Sequence, residues 1–132
     1  MQRRRVILGA AGGAALLAPA ALASPRAEVP LLTTYVAGIG HHGGAAEAAR
    51  LAVGEGLALR RRPDSAYDPQ TVEVWTGGGV LLGHVPRIDA GALASLMDAG
   101  FATPARVRHV SAHPTRPTVR LDVALEVGRR AA

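Results

Sequence analysis

Hydrophobic and polar residues alternate with a period of two in several short stretches of this chain. The clearest stretch is residues 118–127, in which every second residue is apolar: Val119, Leu121, Val123, Leu125 and Val127. In residues 71–76 the same alternation puts Val72 and Val74 on one face and Glu73 and Trp75 on the other. Such alternation indicates strands that bury one face in a core, so Trp75 is either exposed or packed under a helix.

Turn residues separate the stretches that favour strands. The predicted strands cover residues 31–39, 57–62, 71–76, 80–85, 107–113 and 118–127. The turn at 63–69 contains two Pro and two Asp, and the three glycines at 77–79 form a hairpin turn. Two segments predict helices instead: a short one at 45–53 that ends at Gly54, and a longer one at 88–99 with apolar residues at helical spacing.

The number and spacing of these elements narrow the fold class. About six strands with short connections and one main helix favour a mostly β, small α+β fold. The specific expectation is an OB-like or SH3-like β-barrel with the main helix inserted between strands. The chain has 132 residues, which suits one domain with a single modest core.

The first 23 residues have the pattern of a secretory signal peptide. Arg3, Arg4 and Arg5 precede a stretch without charge, and small residues at 21 and 23 mark a cleavage site before Ser24. Residues 4–8 (RRVIL) resemble the twin-arginine signal of bacteria. We expect export to the periplasm or secretion, with no stable membrane span after cleavage. The alternative is an uncleaved N-terminal membrane anchor, although the apolar run of about 17 residues is short for a span.

The distribution of charge weakens the first impression of a strongly basic protein. The whole chain carries 15 basic residues, all of them Arg, against 10 acidic ones, for a net charge of +5. Without residues 1–23 the balance is 12 Arg against 10 acids, or +2. The mature domain is therefore only mildly basic. The absence of Cys excludes a disulfide scaffold, a Cys-ligated zinc site, a thiol nucleophile and an iron–sulfur cluster.

Sequence motifs of common enzymes and metal sites are missing from the chain. The glycines at 77–79 lack the Lys and Ser/Thr of a P-loop, and no hydrolase or zinc-protease motif occurs. His109 and His113 lie about 13 Å apart on a predicted strand, too far to bind one ion. The adjacent His41 and His42 would need ligands from elsewhere. We therefore predict a non-enzymatic protein with no cofactor and no metal site.

Four segments in order resemble one family. They are residues 36–39 (VAGI), the turn at 63–69 (PDSAYDP), residues 82–87 (LGHVPR) and the following helix with AGALA at 90–94. Together they resemble the HIRAN domain, and the resemblance covers residues 31–127. The corresponding domain organisation is a signal peptide at 1–23, a linker at 24–30, a HIRAN-like domain at 31–127 and a tail at 128–132.

The resemblance implies a function and a set of DNA-binding residues. HIRAN domains are small β-barrels similar to oligonucleotide-binding folds, and a well-understood member captures the 3′-hydroxyl end of single-stranded DNA. The resemblance implies that the DNA-binding residues are Tyr67, Asp68, Arg87 and His84, together with His41, which stands at a pocket position but differs from the family residue. A tyrosine ring can stack on a base, and a carboxylate can accept a hydrogen bond from the terminal hydroxyl.

Departures from the family pattern occur in two places. Gly40 stands where that member has Arg, and His41 and His42 replace an aromatic pair. Ser65 replaces the Asn of the turn. These departures leave a second hypothesis open, in which an exported protein- or ligand-interaction module kept the HIRAN fold, lost DNA binding and binds an envelope protein.

Two groups of arginines are further candidates for contacts with nucleic acid. In residues 60–62 alternation sends Arg61 opposite to Arg60 and Arg62, which favours a solvated strand end over one phosphate-binding face. The second group, on neighbouring predicted strands, comprises Arg106, Arg108 and Arg120. These three form a basic face only if the strand register places them on the same side.

Overall fold

The computed structural model describes residues 26–111, 113 and 116–128. The predicted signal peptide at 1–23 and residues 129–132 of the predicted tail lie outside this part of the chain. Residues 28–127 pack as one compact unit. Among the described residues, no helix is both long and apolar enough to cross a membrane.

Six strands and two α-helices make up the described part of the chain. The strands are β1 (Arg26–Tyr35), β2 (Gly56–Arg61), β3 (Val72–Thr76), β4 (Leu81–His84), β5 (Ala105–Ser111) and β6 (Thr118–Gly128). The helices are α1 (Ala45–Arg50) and the main helix α2 (Arg87–Asp98), and a short 3₁₀ helix covers Ile39–His42. The prediction of a mostly β fold with one main helix is confirmed.

The strands form one sheet in the order β1-β6-β5-β2-β3-β4. The pairs β2–β3, β3–β4, β2–β5 and β5–β6 are antiparallel. The two edge strands, β1 and β4, approach each other through the segment after β1. The Val36 N–H donates to the Val119 carbonyl on β6, and Ala37 exchanges two backbone hydrogen bonds with His84 on β4. This single bridge gives the sheet the barrel-like form expected of the fold.

A β-bulge in β4 makes that bridge sterically feasible. Glu73 pairs with His84 and Val74 with Gly83, but Trp75 pairs with Leu81, so Leu82 is the extra residue. Leu82 and Gly83 are both buried. A Cβ at Gly83 would overlap the Ala37 carbonyl oxygen and lie 2.8 Å from Val36 Cγ1. Only glycine therefore permits the backbone of β4 to approach the segment after β1.

The core lies between the concave face of the sheet and one side of α2. Val72 and Val74 are fully buried, as their alternation predicts. The helix contributes Ala90, Leu93 and Ala94, all almost fully buried. Strands β5 and β6 supply the opposite side of the core: Ala105, Val107, Val119, Leu121 and Val123.

Several element boundaries differ from those predicted. β1 begins at Arg26, so residues 26–30, predicted as linker, are part of a strand. The same strand ends at Tyr35 and not at Ile39. A left-handed backbone at Gly38 (φ 74°) turns the chain into the 3₁₀ helix. β5 ends at Ser111, so His113 lies beyond the strand.

Candidate nucleic-acid interface

The turn between β2 and β3 is shaped by its own short polar side chains. Ser65 Oγ accepts hydrogen bonds from the backbone N–H groups of Tyr67 (3.2 Å) and Asp68 (3.5 Å). Asp68 Oδ1 accepts one from the Gln70 N–H at 2.9 Å. Such local bonds are the reason that Ser and Asp favour turns over regular structure. They leave the Tyr67 ring 91% exposed.

Asp68 is mostly covered and joined to the start of α2. Its side chain is 20% exposed, and Oδ2 accepts a hydrogen bond from Arg87 Nε at 3.2 Å. The backbone N–H of Gln70 does most to lower the pKa of the Asp68 carboxyl; burial opposes this, and Arg87 adds to the lowering. Asp68 is therefore ionised at neutral pH. The structure thus brings together three predicted site residues: Tyr67, Asp68 and Arg87.

Arg87 is the first residue of α2, and its side chain is 78% exposed. A positive charge at this end opposes the helix dipole, so helix stability does not explain an arginine here. The helix is held by Asp89 instead, whose Oδ2 accepts a hydrogen bond from the buried Thr34 hydroxyl at 2.7 Å. Arg87 donates to Asp68 through Nε, so its two terminal NH₂ groups have no hydrogen-bond partner among the described residues and are available to a ligand.

His84 belongs to a second group of site residues, formed with the 3₁₀ helix. The His84 and His42 rings meet edge to face with centroids 6.5 Å apart. A Cβ at Gly38 would lie 3.0 Å from His84 Cε1 and 3.8 Å from His41 Cδ2, so both imidazoles border this glycine. Burial lowers the pKa of His84 most, followed by His42 and then His41. Residues 85 and 86 connect this histidine group to Arg87 along the chain.

Arg61 has a structural role that alternation alone did not reveal. Its side chain is 16% exposed and forms a two-point ion pair with Asp98 at 2.9 and 3.2 Å. It also donates to the carbonyls of Thr71 and Pro69. The expectation of a solvated strand end is wrong for this residue, because it fastens the turn that carries Asp68 to the end of α2. The signal in the sequence for this different role was the alternation, which places Arg61 on the other face of the strand from Arg60 and Arg62.

Trp75 lies on the outer face of β2 and β3, opposite the buried Val72 and Val74, and it is half-buried. It does not pack under α2. The Arg60 guanidinium carbon is 4.5 Å from the centroid of the Trp75 ring. Trp75 Nε1 donates to Glu73 Oε1 at 3.0 Å, and Glu73 Oε2 pairs with Arg62 at 3.2 Å.

The predicted basic face on β5 and β6 is largely neutralised. Arg106 forms a two-point ion pair with Glu28, and Arg108 pairs with Asp122 at 3.2 Å. Arg120 lies opposite His109 in the β5–β6 register. The ion pairs line a groove of about 480 Å³ that does not include the predicted DNA-binding residues. In the described part of the chain, no three His, Asp or Glu residues are placed to share a metal ion.

Comparisons with known proteins agree with this fold. The HIRAN domain family model matches residues 31–128. A crystal structure of a protein from Lactobacillus plantarum has 26% identity and a TM-score of 0.71, covering 77% of this chain and 98% of its own. The crystal structure of the HIRAN domain of human HLTF has 25% identity and a TM-score of 0.65, covering 79% of this chain and 80% of its own.

An NMR structure shows the HLTF HIRAN domain in its DNA-bound conformation. It has 26% identity to this chain and a TM-score of 0.55, covering 75% of this chain and 78% of its own. No curated protein matches the chain in sequence. The match to the family model spans most of the chain and includes strands β2 to β6, the second half of β1, the main helix and both groups of site residues. The chain belongs to the HIRAN domain family.

Proposed function

We propose that this protein is a non-enzymatic nucleic-acid-binding module that recognises the 3′ end of single-stranded DNA. The observation that carries the proposal is the fixed Asp68–Arg87 pair next in sequence to the exposed Tyr67 ring. The DNA-bound state of the related HLTF domain supports a nucleic-acid ligand.

Tyr67 supplies the stacking surface. A ring that is 91% exposed on a tightly hydrogen-bonded turn contributes nothing to the core. It also loses little conformational freedom when a base stacks on it, because Ser65 already fixes the backbone beneath it. Stacking of a base on an aromatic side chain is sequence-tolerant, which suits recognition of an end over a sequence.

Asp68 distinguishes a strand that ends in a 3′-hydroxyl from one that ends in a 3′-phosphate. Its two oxygens each accept one hydrogen bond in the structure, from Gln70 and Arg87. A carboxylate has about four acceptor positions, so it can also accept the proton of a 3′-hydroxyl. A 3′-phosphate has no such proton and meets the ionised carboxylate as a like charge. The site therefore favours the hydroxyl end.

Arg87 holds the adjacent backbone phosphate. Its Nε is engaged by Asp68, which orients the guanidinium and leaves the terminal NH₂ groups for a bidentate contact. The start of α2 adds to the positive potential at this point. His84 and His41 border Gly38 and add imidazole nitrogens that can form hydrogen bonds with the strand.

Direct titration tests the discrimination between ends. We expect the wild-type protein to bind a 3′-hydroxyl oligonucleotide about tenfold or more tightly than the same strand with a 3′-phosphate, because a hydrogen bond to a charged group is involved. Asp68→Asn should lose most of this preference. Fluorescence anisotropy with a 5′-labelled strand measures both affinities.

Asp64→Asn is the matched control. Asp64 is an exposed carboxylate of the same turn, and it pairs with Arg62. This variant removes the same charge and should keep the preference for the hydroxyl end. Equal affinity of the wild-type protein for the two ends would contradict the proposed pocket.

A further inference from the structure

Trp75 and Arg60 form a second aromatic and cationic pair, separate from Tyr67 and Arg87. Arg60 is exposed and stacks over the Trp75 ring at 4.5 Å, and it has no carboxylate partner among the described residues. The other cations of this region differ, since Arg61, Arg62 and Arg87 each pair with an acid. Arg60 is thus held against a ring, while Glu73, its cross-strand neighbour, is engaged by Trp75 and Arg62.

Glu73, on the same strand as Trp75, fixes the orientation of the Trp75 ring in this pair. Glu73 accepts the Trp75 indole N–H with one oxygen and binds Arg62 with the other. Ala58 is the cross-strand neighbour of Trp75, and its small side chain leaves room for the indole to lie over β2 and reach Arg60. The exposed guanidinium of Arg60 is therefore held over an indole that is itself fixed by a hydrogen bond.

The pair lies on β2 and β3, the two strands joined by the turn that carries Tyr67 and Asp68. His84 is directly opposite Glu73 in the β3–β4 register, and Trp75 is two residues further along β3. Because paired residues of neighbouring strands share a face, His84 lies on the same face of the sheet as Glu73, the residue that accepts the Trp75 indole N–H.

We propose that Arg60 and Trp75 form a second nucleobase-binding platform, on which a base of single-stranded nucleic acid stacks further along the strand from the 3′ end. The inference extends the proposed function to a longer ligand. Bases stack readily on guanidinium planes and aromatic rings, and neither contact depends on base identity or on the chemistry of the end. The platform therefore adds affinity that depends on strand length alone.

The chain offers a specific probe, because Trp75 is its only tryptophan. We expect a series of oligothymidylates of increasing length to show a step in affinity at one length. The same length should produce the first marked quenching of tryptophan fluorescence. Strands with a 3′-hydroxyl and with a 3′-phosphate should show the same step. A rise in affinity with length but without a change in Trp75 fluorescence would overturn the platform.

Substitutions separate stacking from simple charge. Arg60→Ala should remove the length-dependent step, with a loss of about fivefold or more in affinity for long strands. Arg60→Lys keeps the charge but lacks the plane, and it should behave like Arg60→Ala. Wild-type affinity of Arg60→Lys for long strands would overturn the stacking role. Trp75→Phe should keep the step and Trp75→Leu should lose it; a step that persists in Trp75→Leu also contradicts the proposal.

Arg116→Ala is the charge-matched control. Arg116 is exposed beyond the far end of β5, whereas β2 pairs with the start of that strand. Arg116 lies in the connection between β5 and β6, outside the strand pair β2–β3 that carries Arg60 and Trp75. This variant should keep the length step. The two proposals fail separately: a wild-type protein that does not discriminate between the ends contradicts the Asp68 pocket, and a wild-type protein without the length step contradicts the platform.

Discussion

At the scale of single residues, His84 couples the binding face to the protonation state of the protein. Its imidazole faces His41 and His42 from the 3₁₀ helix and lies opposite Glu73 of β3. Glu73 is already engaged by Trp75 and Arg62, so it gives His84 little compensation. Burial and the two other histidines lower the pKa of His84 below its usual value of 6.5.

The sign of the resulting pH dependence follows from linkage. Because the folded pKa lies below the unfolded one, the unfolded chain binds more protons as the pH falls through 6.5. The free energy of unfolding should therefore decrease in this range, and the loss is complete below the folded pKa. Chemical denaturation at about pH 7.5 and about pH 5 should show a larger loss for the wild-type protein than for His84→Gln.

His109→Gln provides the comparison for this measurement. His109 is exposed on β5, remote in the strand order from β4. The carboxylates contribute equally to all three proteins and cancel in the difference. If His84→Gln and His109→Gln lose the same free energy of unfolding as the wild type, burial of His84 does not govern the acid response.

At the scale of elements, the contact between the two edge strands depends on a single glycine. The backbone of Gly83 approaches the carbonyl of Ala37, and the same pair of strands positions His84 against the 3₁₀ helix. A methyl group at this position would push β4 away from the segment after β1. The backbone bridge, the bulge in β4 and the position of the histidine group therefore all require that residue 83 has no side chain.

We predict that Gly83→Ala destabilises the fold by about 1–3 kcal/mol or more, as expected when a well-packed core is overfilled. Urea denaturation monitored by Trp75 fluorescence measures the change. Gly78→Ala is the matched control: it adds the same methyl group in the β3–β4 turn, where the nearest atom would be Thr76 Oγ1 at 3.8 Å. If the Gly83→Ala protein is as stable as Gly78→Ala, β4 accommodates the methyl group without a loss of stability and the prediction is wrong.

The elements were more predictable from sequence than their contacts. Alternation identified β3 and β6 correctly, because one buried face imposes a period of two wherever the strand pairs. The start of β1 at Arg26 was missed, since Ala27 to Pro30 carry little strand preference and are held by pairing with a strand distant in sequence. The role of Gly83 was also missed, because it depends on an approach between residues 37 and 83 that no local pattern encodes.

In the candidate site, too, the local structure was predicted from the sequence and the long-range contacts were not. The turn at 63–69 was predicted from its Pro, Asp and Ser content, which acts locally. The family resemblance assigned Asp68 and Arg87 to one site, but the ion pair between them, across 19 residues of sequence, was not predicted. The clamp of Arg61 on Asp98 and the stack of Arg60 on Trp75 require the strand register and the position of α2. Sequence periodicity specifies the face of a side chain but not its partner.

At the scale of the whole molecule, most of the positive charge is compensated internally. In the described residues, six arginines form ion pairs with carboxylates: Arg50, Arg61, Arg62, Arg87, Arg106 and Arg108. The net charge of +5 also includes three arginines of residues 1–23, and residues 24–132 carry only +2. The residues of the end-binding site and of the Arg60–Trp75 platform, and not a broad basic surface, should determine the affinity for nucleic acid.

This charge distribution predicts a weak dependence of binding on salt. Each phosphate neutralised on a single strand contributes about −0.7 to the slope of log affinity against log salt concentration. If Arg87 and Arg60 are the main contacts, we expect a slope between about −0.7 and −1.4. The measurement is a titration series in increasing salt with the chain that begins at Ser24, the form expected after cleavage. Arg87→Ala should reduce the slope by about 0.7, whereas Arg116→Ala should leave it unchanged. A slope steeper than about −3 would mean that the paired arginines open towards phosphate, and binding would then follow an extended basic surface and not the two local sites.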